Sequence, residues 1–194
     1  MLEGWIVYPV ALVAATIVGV IAVRRRLPDF VVAMRVLFVL YLGWVVGATL
    51  FPLPVDAVAA RLDAGARGVS VGLVPLASIS EVVRDGTWFA QLWILGGNVL
   101  TLAPFGFLLP FAAPRLATWR RVALAAVLFP TAIELSQFLV SMTLGYSYRV
   151  TEVDDVVLNA AGILLGFAVF SALRDGGRMT VGETDPGPPQ DGAP

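Results

Sequence analysis

The chain has 194 residues, 58% of them apolar and 14% charged, with a mean hydropathy of +0.85 and a net charge of -1. A soluble fold cannot hide that much apolar surface, and the near-neutral balance gives no reason to propose nucleic acid as a partner. With no Cys and no His, and with Arg supplying all 13 basic residues, disulfides, thiolate chemistry, Ser-His triads and lysine nucleophiles are excluded, and no metal or cofactor is expected.

A membrane-crossing helix needs about 20 mainly apolar residues. Five segments approach that length: Gly4 to Val23, Phe30 to Phe51, Trp88 to Phe111, Val122 to Met142 and Val156 to Leu173, the last being the shortest. The expected class is therefore all-α, a polytopic transmembrane bundle. Its divisions are a first helix with its Arg turn (1–29), a second helix and following loop (30–71), a three-helix domain (72–173) and a tail (174–194). The first span has no basic residue before it and no A-x-A site after it, so it reads as a retained helix rather than a signal peptide. The loop from Pro52 to Thr87 carries a small-residue stretch with Gly65 and Gly68, then the apolar run Val69 to Ile79, too short to cross. That run fits an interfacial or re-entrant piece as well as a loop packed on the bundle. The tail is rich in Gly, Pro and acidic residues, a composition that predicts disorder. No internal repeat is visible.

Arg24, Arg25 and Arg26 follow the first span, Arg115, Arg120 and Arg121 separate the third from the fourth, and Arg174 and Arg178 follow the fifth. Arg61, Arg67, Arg84 and Arg149 fall on the opposite side. By the positive-inside rule the N-terminus is out and the C-terminus in. Arg35, five residues into the second span, is expected to snorkel to the interface. Trp5, Tyr8, Trp88, Trp93, Trp119, Tyr146 and Tyr148 fall near the span ends, where amphipathic rings are enriched.

Polar side chains within spans are expensive and need a partner or a water-filled cavity. Asn98, Thr101 and Phe105 recur at helical spacing in the third span, with Pro104 and Gly106 beside them, where a kink is expected. Glu134, Gln137 and Ser141 form one face of the fourth, with Pro130 one turn before. Asp155, Asn159, Gly162 and Gly166 form one stripe of the fifth. A rise of ~1.5 Å per residue puts Glu134 roughly 12 Å, Asn98 roughly 10 to 15 Å and Asn159 roughly 6 Å inside the outer boundary. The loop from Thr143 to Asp154 brings Arg149 and Glu152 over the same level. The expectation is an outward-opening polar pocket of Asn98, Thr101, Glu134, Gln137, Arg149, Asp154, Asp155 and Asn159. For Thr101, Ser136, Ser141, Gly162 and Gly166 the plainer role, interhelical glue and close approach, is favoured. Glu134 needs a cation, and Arg149 is the nearest by sequence; otherwise burial would keep it protonated. Glu134 and Asp155 are the candidate acid-base groups.

At these residues the chain resembles the VanZ-like family of bacterial membrane proteins. Asn98 to Pro110, NVLTLAPFGFLLP, looks like the family's N-x-x-x-x-x-P-x-G-x-x-x-P segment. Glu134 and Gln137 match its E-x-x-Q, Arg149 its loop arginine, and the stretch DDVVLNAAGILLG, which opens with Asp154, its D-D-x-x-x-N-x-x-G-x-x-x-G element. Leu73, Val74, Pro75 and Leu76 resemble the short apolar-proline element ahead of the family's third helix, although Leu76 stands where an aromatic is frequent. The likeness spans roughly Gly72 to Leu173; the first two helices and the tail carry no such match. Within it Pro104, Gly106, Pro110, Gly162 and Gly166 are structural positions. The resemblance implies a multi-pass protein of the bacterial cell membrane whose namesake is associated with low-level resistance to teicoplanin, a lipid-bearing glycopeptide. The Arg- and Ala-rich, Lys-free usage points to a high-GC bacterium such as an actinobacterium.

Three functions fit. The first is a non-enzymatic binding or envelope role, in which the pocket receives membrane lipid, a lipid-linked wall precursor or a lipoglycopeptide tail. The second is a membrane enzyme acting on a lipid-linked substrate through Glu134 or Asp155. A divalent ion shared by Asp154 and Asp155 is disfavoured, because adjacent helical residues point about 100 degrees apart. The third is a small proton-coupled transporter titrating Glu134, which would need a homo-oligomer.

Overall fold

The computed structural model describes residues 2–54, 56 and 68–177. The small-residue stretch around Gly65, with Arg61 and Arg67, and the tail beyond residue 177 lie outside them. A 3-10 turn, Gly4–Val7, leads into α1 (Tyr8–Arg24); α2 (Asp29–Leu50) follows a short Arg-rich turn. A short helix, α3 (Ala77–Asp85), precedes α4 (Trp88–Ala112), α5 (Trp119–Leu144) and α6 (Val153–Asp175). The first turn with α1, and each of α2, α4, α5 and α6, is long and apolar enough to cross a membrane.

Local chemistry sets the ends. Asp29 lies in the first turn of α2, and Asp154 and Asp155 lie in the first turn of α6, where the helix dipole favours anions; Arg174 occupies the last turn of α6, where it favours cations. Gly145 stops α5 with a left-handed φ of 75°. The fifth span is longer than its apolar run predicts: α6 starts at Val153 because the first turn of a helix accepts carboxylates that a hydropathy window rejects. Pro104 and Pro110 sit inside α4, which continues through both; the irregular stretch lies earlier, in a π-helical turn at Leu92–Gly96.

The core is a cluster around Phe38 and Val45 of α2, Leu102, Phe105 and Phe111 of α4, Val122 and Ala126 of α5, and Ile163, Phe167 and Phe170 of α6. Phe105, on the same stripe as Asn98 and Thr101, stacks on Phe129 at 4.3 Å between ring centroids. The stripe thus turns from polar to aromatic on going down into the bundle. α4 and α6 cross with their backbones in contact. A Cβ added at Gly106 would overlap the Ile163 carbonyl, one at Gly162 the Val99 carbonyl and one at Gly166 the Ala103 carbonyl. α1 packs on α2.

Two details add to the expected helical bundle. Val71–Gly72 pairs in parallel with Thr151–Glu152, because the two loops run side by side with backbone groups that need partners. Arg35 has a specific partner. Its Nε donates to the Phe111 carbonyl at 2.8 Å, satisfying an acceptor that the end of α4 leaves open. The apolar run Val69 to Ile79 is split between that strand, a turn that exposes Leu73, Val74 and Leu76, and the start of α3, a short amphipathic helix.

Candidate functional site

The end of the bundle that carries α3 and the α5–α6 loop holds a cavity of about 170 Å³. Glu134 and Gln137 face it from α5, Asn98 and Thr101 from α4, Asp155 and Asn159 from α6, and Arg149 from the loop between α5 and α6. Leu102 and Ile133 also line it. Asp154, the eighth residue of the expected pocket, does not line it. The reason is the helical turn between neighbours. Asp155 faces α4, where its Oδ1 accepts from Asn98 Nδ2 at 2.6 Å. Asp154, 2% exposed, faces α3 and accepts the backbone N–H groups of Leu76 (2.6 Å) and Ile79 (3.1 Å). It caps α3 from another helix, a role Leu76 cannot play at its own left-handed N-cap position. Among the described residues no group of His, Cys, Asp or Glu has the arrangement of a metal site.

Arg149 is also placed differently from the sequence expectation. It makes no ion pair with Glu134; its Nη2 donates to the carbonyls of Ala48 (3.0 Å) and Phe51 (2.9 Å) at the end of α2. Gln137 Nε2 donates to the Thr49 carbonyl at 2.9 Å. Two residues of the expected pocket thus cap the α2 C-terminus, where orphan carbonyls and the negative end of the dipole favour donors and cations. Glu134, 6% exposed, accepts the Glu152 N–H at 3.2 Å through Oε2, tying α5 to the short strand. Among the described residues no hydrogen bond reaches its second oxygen or the amide of Asn159, a residue 8% exposed.

The glue assignments divide. Ser141 Oγ donates across to the Arg149 carbonyl at 3.4 Å, but Ser136 Oγ bonds the Ala132 carbonyl of its own helix and joins nothing. The Thr101 carbonyl accepts from the Tyr41 hydroxyl of α2 at 2.7 Å. Tyr148, which the sequence marks only as a span-end aromatic, lies in the α5–α6 loop and has a buried hydroxyl without a partner among the described residues. Burial pushes its phenol above the ordinary value, with Arg149 pulling it back down and Glu134 adding to the rise.

Two wider grooves adjoin the cavity. One, of about 940 Å³, shares Asn98, Thr101 and Asp155 with it and runs past Trp44, Trp93 and Glu81 between α2, α3 and α4. The other, of about 530 Å³, shares Glu134 and is otherwise mainly apolar, with Leu73, Leu135 and Phe138 among its walls. Glu152 lines both.

The family model of VanZ/LLP1 matches residues 38–174, well over half of the 194. The chain belongs to the VanZ/LLP1 family. No curated protein and no solved structure matches it. The family match opens at Phe38 and so takes in most of α2, which the motif resemblance from Gly72 onward leaves out. The geometry supplies a reason: the last turn of α2 is where Gln137 and Arg149 are anchored. With its five apolar helices, this VanZ/LLP1 chain is a multi-pass membrane protein.

Proposed function

We propose that this VanZ/LLP1 protein is a non-enzymatic receptor of the bacterial cell membrane, taking the polar group of an amphiphile into the cavity between α4, α5 and α6 while the apolar part lies in an adjoining groove. The observation that carries this reading is the shared wall: Asn98, Thr101 and Asp155 belong both to the small cavity and to the 940 Å³ groove. Ligand sites are typically apolar clefts with a few placed polar groups. Charge supports an outward-facing site. Arg24 to Arg26, Arg115, Arg120, Arg121 and Arg174 gather at the opposite end of the bundle, as the positive-inside rule expects of the cytoplasmic side. The amphiphile is then a lipid-linked wall precursor or a lipoglycopeptide such as teicoplanin. Susceptibility to teicoplanin and vancomycin, measured with the gene deleted and restored, tests the reading. A shift for the lipid-bearing drug alone supports it, whereas no shift for either drug, with unchanged envelope composition, counts against it.

One observation favours a second reading. Glu134 and Asp155 reach one cavity from separate helices, an arrangement that acid-base chemistry on a lipid-linked substrate would use. Glu134→Gln and Asp155→Asn should then abolish turnover at normal protein level, whereas a receptor would lose only affinity.

A further inference from the structure

Sorting the polar groups of the cavity by their existing bonds shows what a ligand has to supply. The Arg149 Nη2 and the Gln137 amide nitrogen are committed to carbonyls of α2. Among the described residues no hydrogen bond reaches Glu134 Oε1, Asp155 Oδ2 or the amide of Asn159, a side chain 8% exposed that lines the cavity; the Thr101 hydroxyl, the Gln137 amide oxygen and the Nε and Nη1 of Arg149 are likewise open there. Two carboxylate oxygens and an amide thus come from two helices to one space. A donor that carries positive charge is the group that bonds a carboxylate most strongly, so it is the complementary group for this pair.

The surroundings bias the choice the same way. Among the described residues, the wide groove that shares a wall with the cavity is lined by Glu81, Glu152 and Asp155 and by no Arg. Trp44 and Trp93 line it as well, and indole faces attract cations more strongly than other rings. Arg149, the one cation lining the cavity among the described residues, is held through Nη2 at the α2 C-terminus, where the helix dipole offsets its charge. A phosphate entering by this route would pass Glu81, Glu152 and Asp155 before it reached Arg149.

Building on the receptor reading above, we propose that the amphiphile presents a primary ammonium group, which donates to Glu134, Asp155 and Asn159. Such a group is found on an amine-bearing lipid headgroup and on an amino sugar carrying an alkyl chain, and the two sources are separable. The purified full chain in an uncharged detergent is titrated with octyl glucosaminide and octyl glucoside, which differ only by the amine, and with phosphatidylethanolamine and phosphatidylglycerol; bound copies are counted by native mass spectrometry. The glucosaminide is expected to bind at least about tenfold more tightly than the glucoside, the size of effect one charge-assisted hydrogen bond gives. Glu134→Gln and Asp155→Asn should each shrink that preference to less than about threefold. Binding of phosphatidylethanolamine as well makes a lipid headgroup the source; binding of the glucosaminide alone makes it an amino sugar. Equal binding of both glycosides overturns the ammonium proposal and leaves the receptor reading standing, and binding of none of the four overturns both. The comparison of glycosides in the unaltered chain needs no variant, so a substitution that fails to fold does not weaken the test.

Discussion

Asp154 and Asp155 are neighbours in sequence with separate structural duties, and substitution separates them. Asp154→Ala removes the acceptor for the Leu76 and Ile79 amides, bonds of 2.6 and 3.1 Å made by a carboxylate only 2% exposed. Hydrogen bonds to a charged group contribute about 1.5–3 kcal/mol each, and the released, part-buried amides recover some of this from water, leaving a local loss of about 2–4 kcal/mol. Opening of the α3 N-terminus should therefore become about 30- to 1000-fold more frequent, at about 1.4 kcal/mol per tenfold. Hydrogen–deuterium exchange over residues 74–85 reads this directly. Asp154→Asn keeps one acceptor oxygen and should show a smaller acceleration. Asp155→Asn, whose side chain faces α4, should leave α3 protected. Unchanged exchange in Asp154→Ala, or equal acceleration in Asp155→Asn, would refute the division of roles.

Other consequences are as direct. Arg149→Ala strips two carbonyls at the end of α2 of a charged donor and should lower stability by about 2–4 kcal/mol, read as a thermal shift in detergent, and Arg149→Lys, without the guanidinium fork, should recover only part of it. Gly166→Ala forces α4 and α6 apart and should cost about 1–3 kcal/mol by overpacking. Gly96→Ala, where nothing lies within 4 Å of the added carbon, should show no such loss in the same melt. The chain has no Cys, so single cysteines report its orientation: Asp85→Cys should react with an impermeant maleimide on intact cells and Thr118→Cys only after lysis, and the reverse pattern would invert the bundle.

The crossing helices were legible because hydropathy and length alone mark them, and α5 and α6 extend beyond their apolar windows only where polar residues occupy terminal turns. The 3.6-residue repeat brought Asn98, Glu134, Gln137, Asp155 and Asn159 onto faces that meet about one cavity. What the repeat could not reveal is where a long side chain ends. Arg149 was paired with Glu134 on charge, yet its partners are backbone carbonyls of α2, which have no signature in the side-chain sequence. The same is true of Arg35 with Phe111. For Asp154 the clue was present in the 100-degree offset from Asp155, but its partner, the N-terminus of α3, follows a break at Leu76 that no capping residue announces.

The contact of α4 with α6 at Gly106, Gly162 and Gly166 also decides how anything reaches the interior. Where a carbonyl rests against an α-carbon, no acyl chain can slip through, so that seam is closed to lipid between Val99 and Gly106 of α4 and Gly162 and Gly166 of α6. Two grooves flank it, one between α2 and α4 beside Trp44 and Trp93, the other beside Leu135 and Phe138. A ligand bound as proposed would come sideways along one of these rather than between α4 and α6 at their glycines.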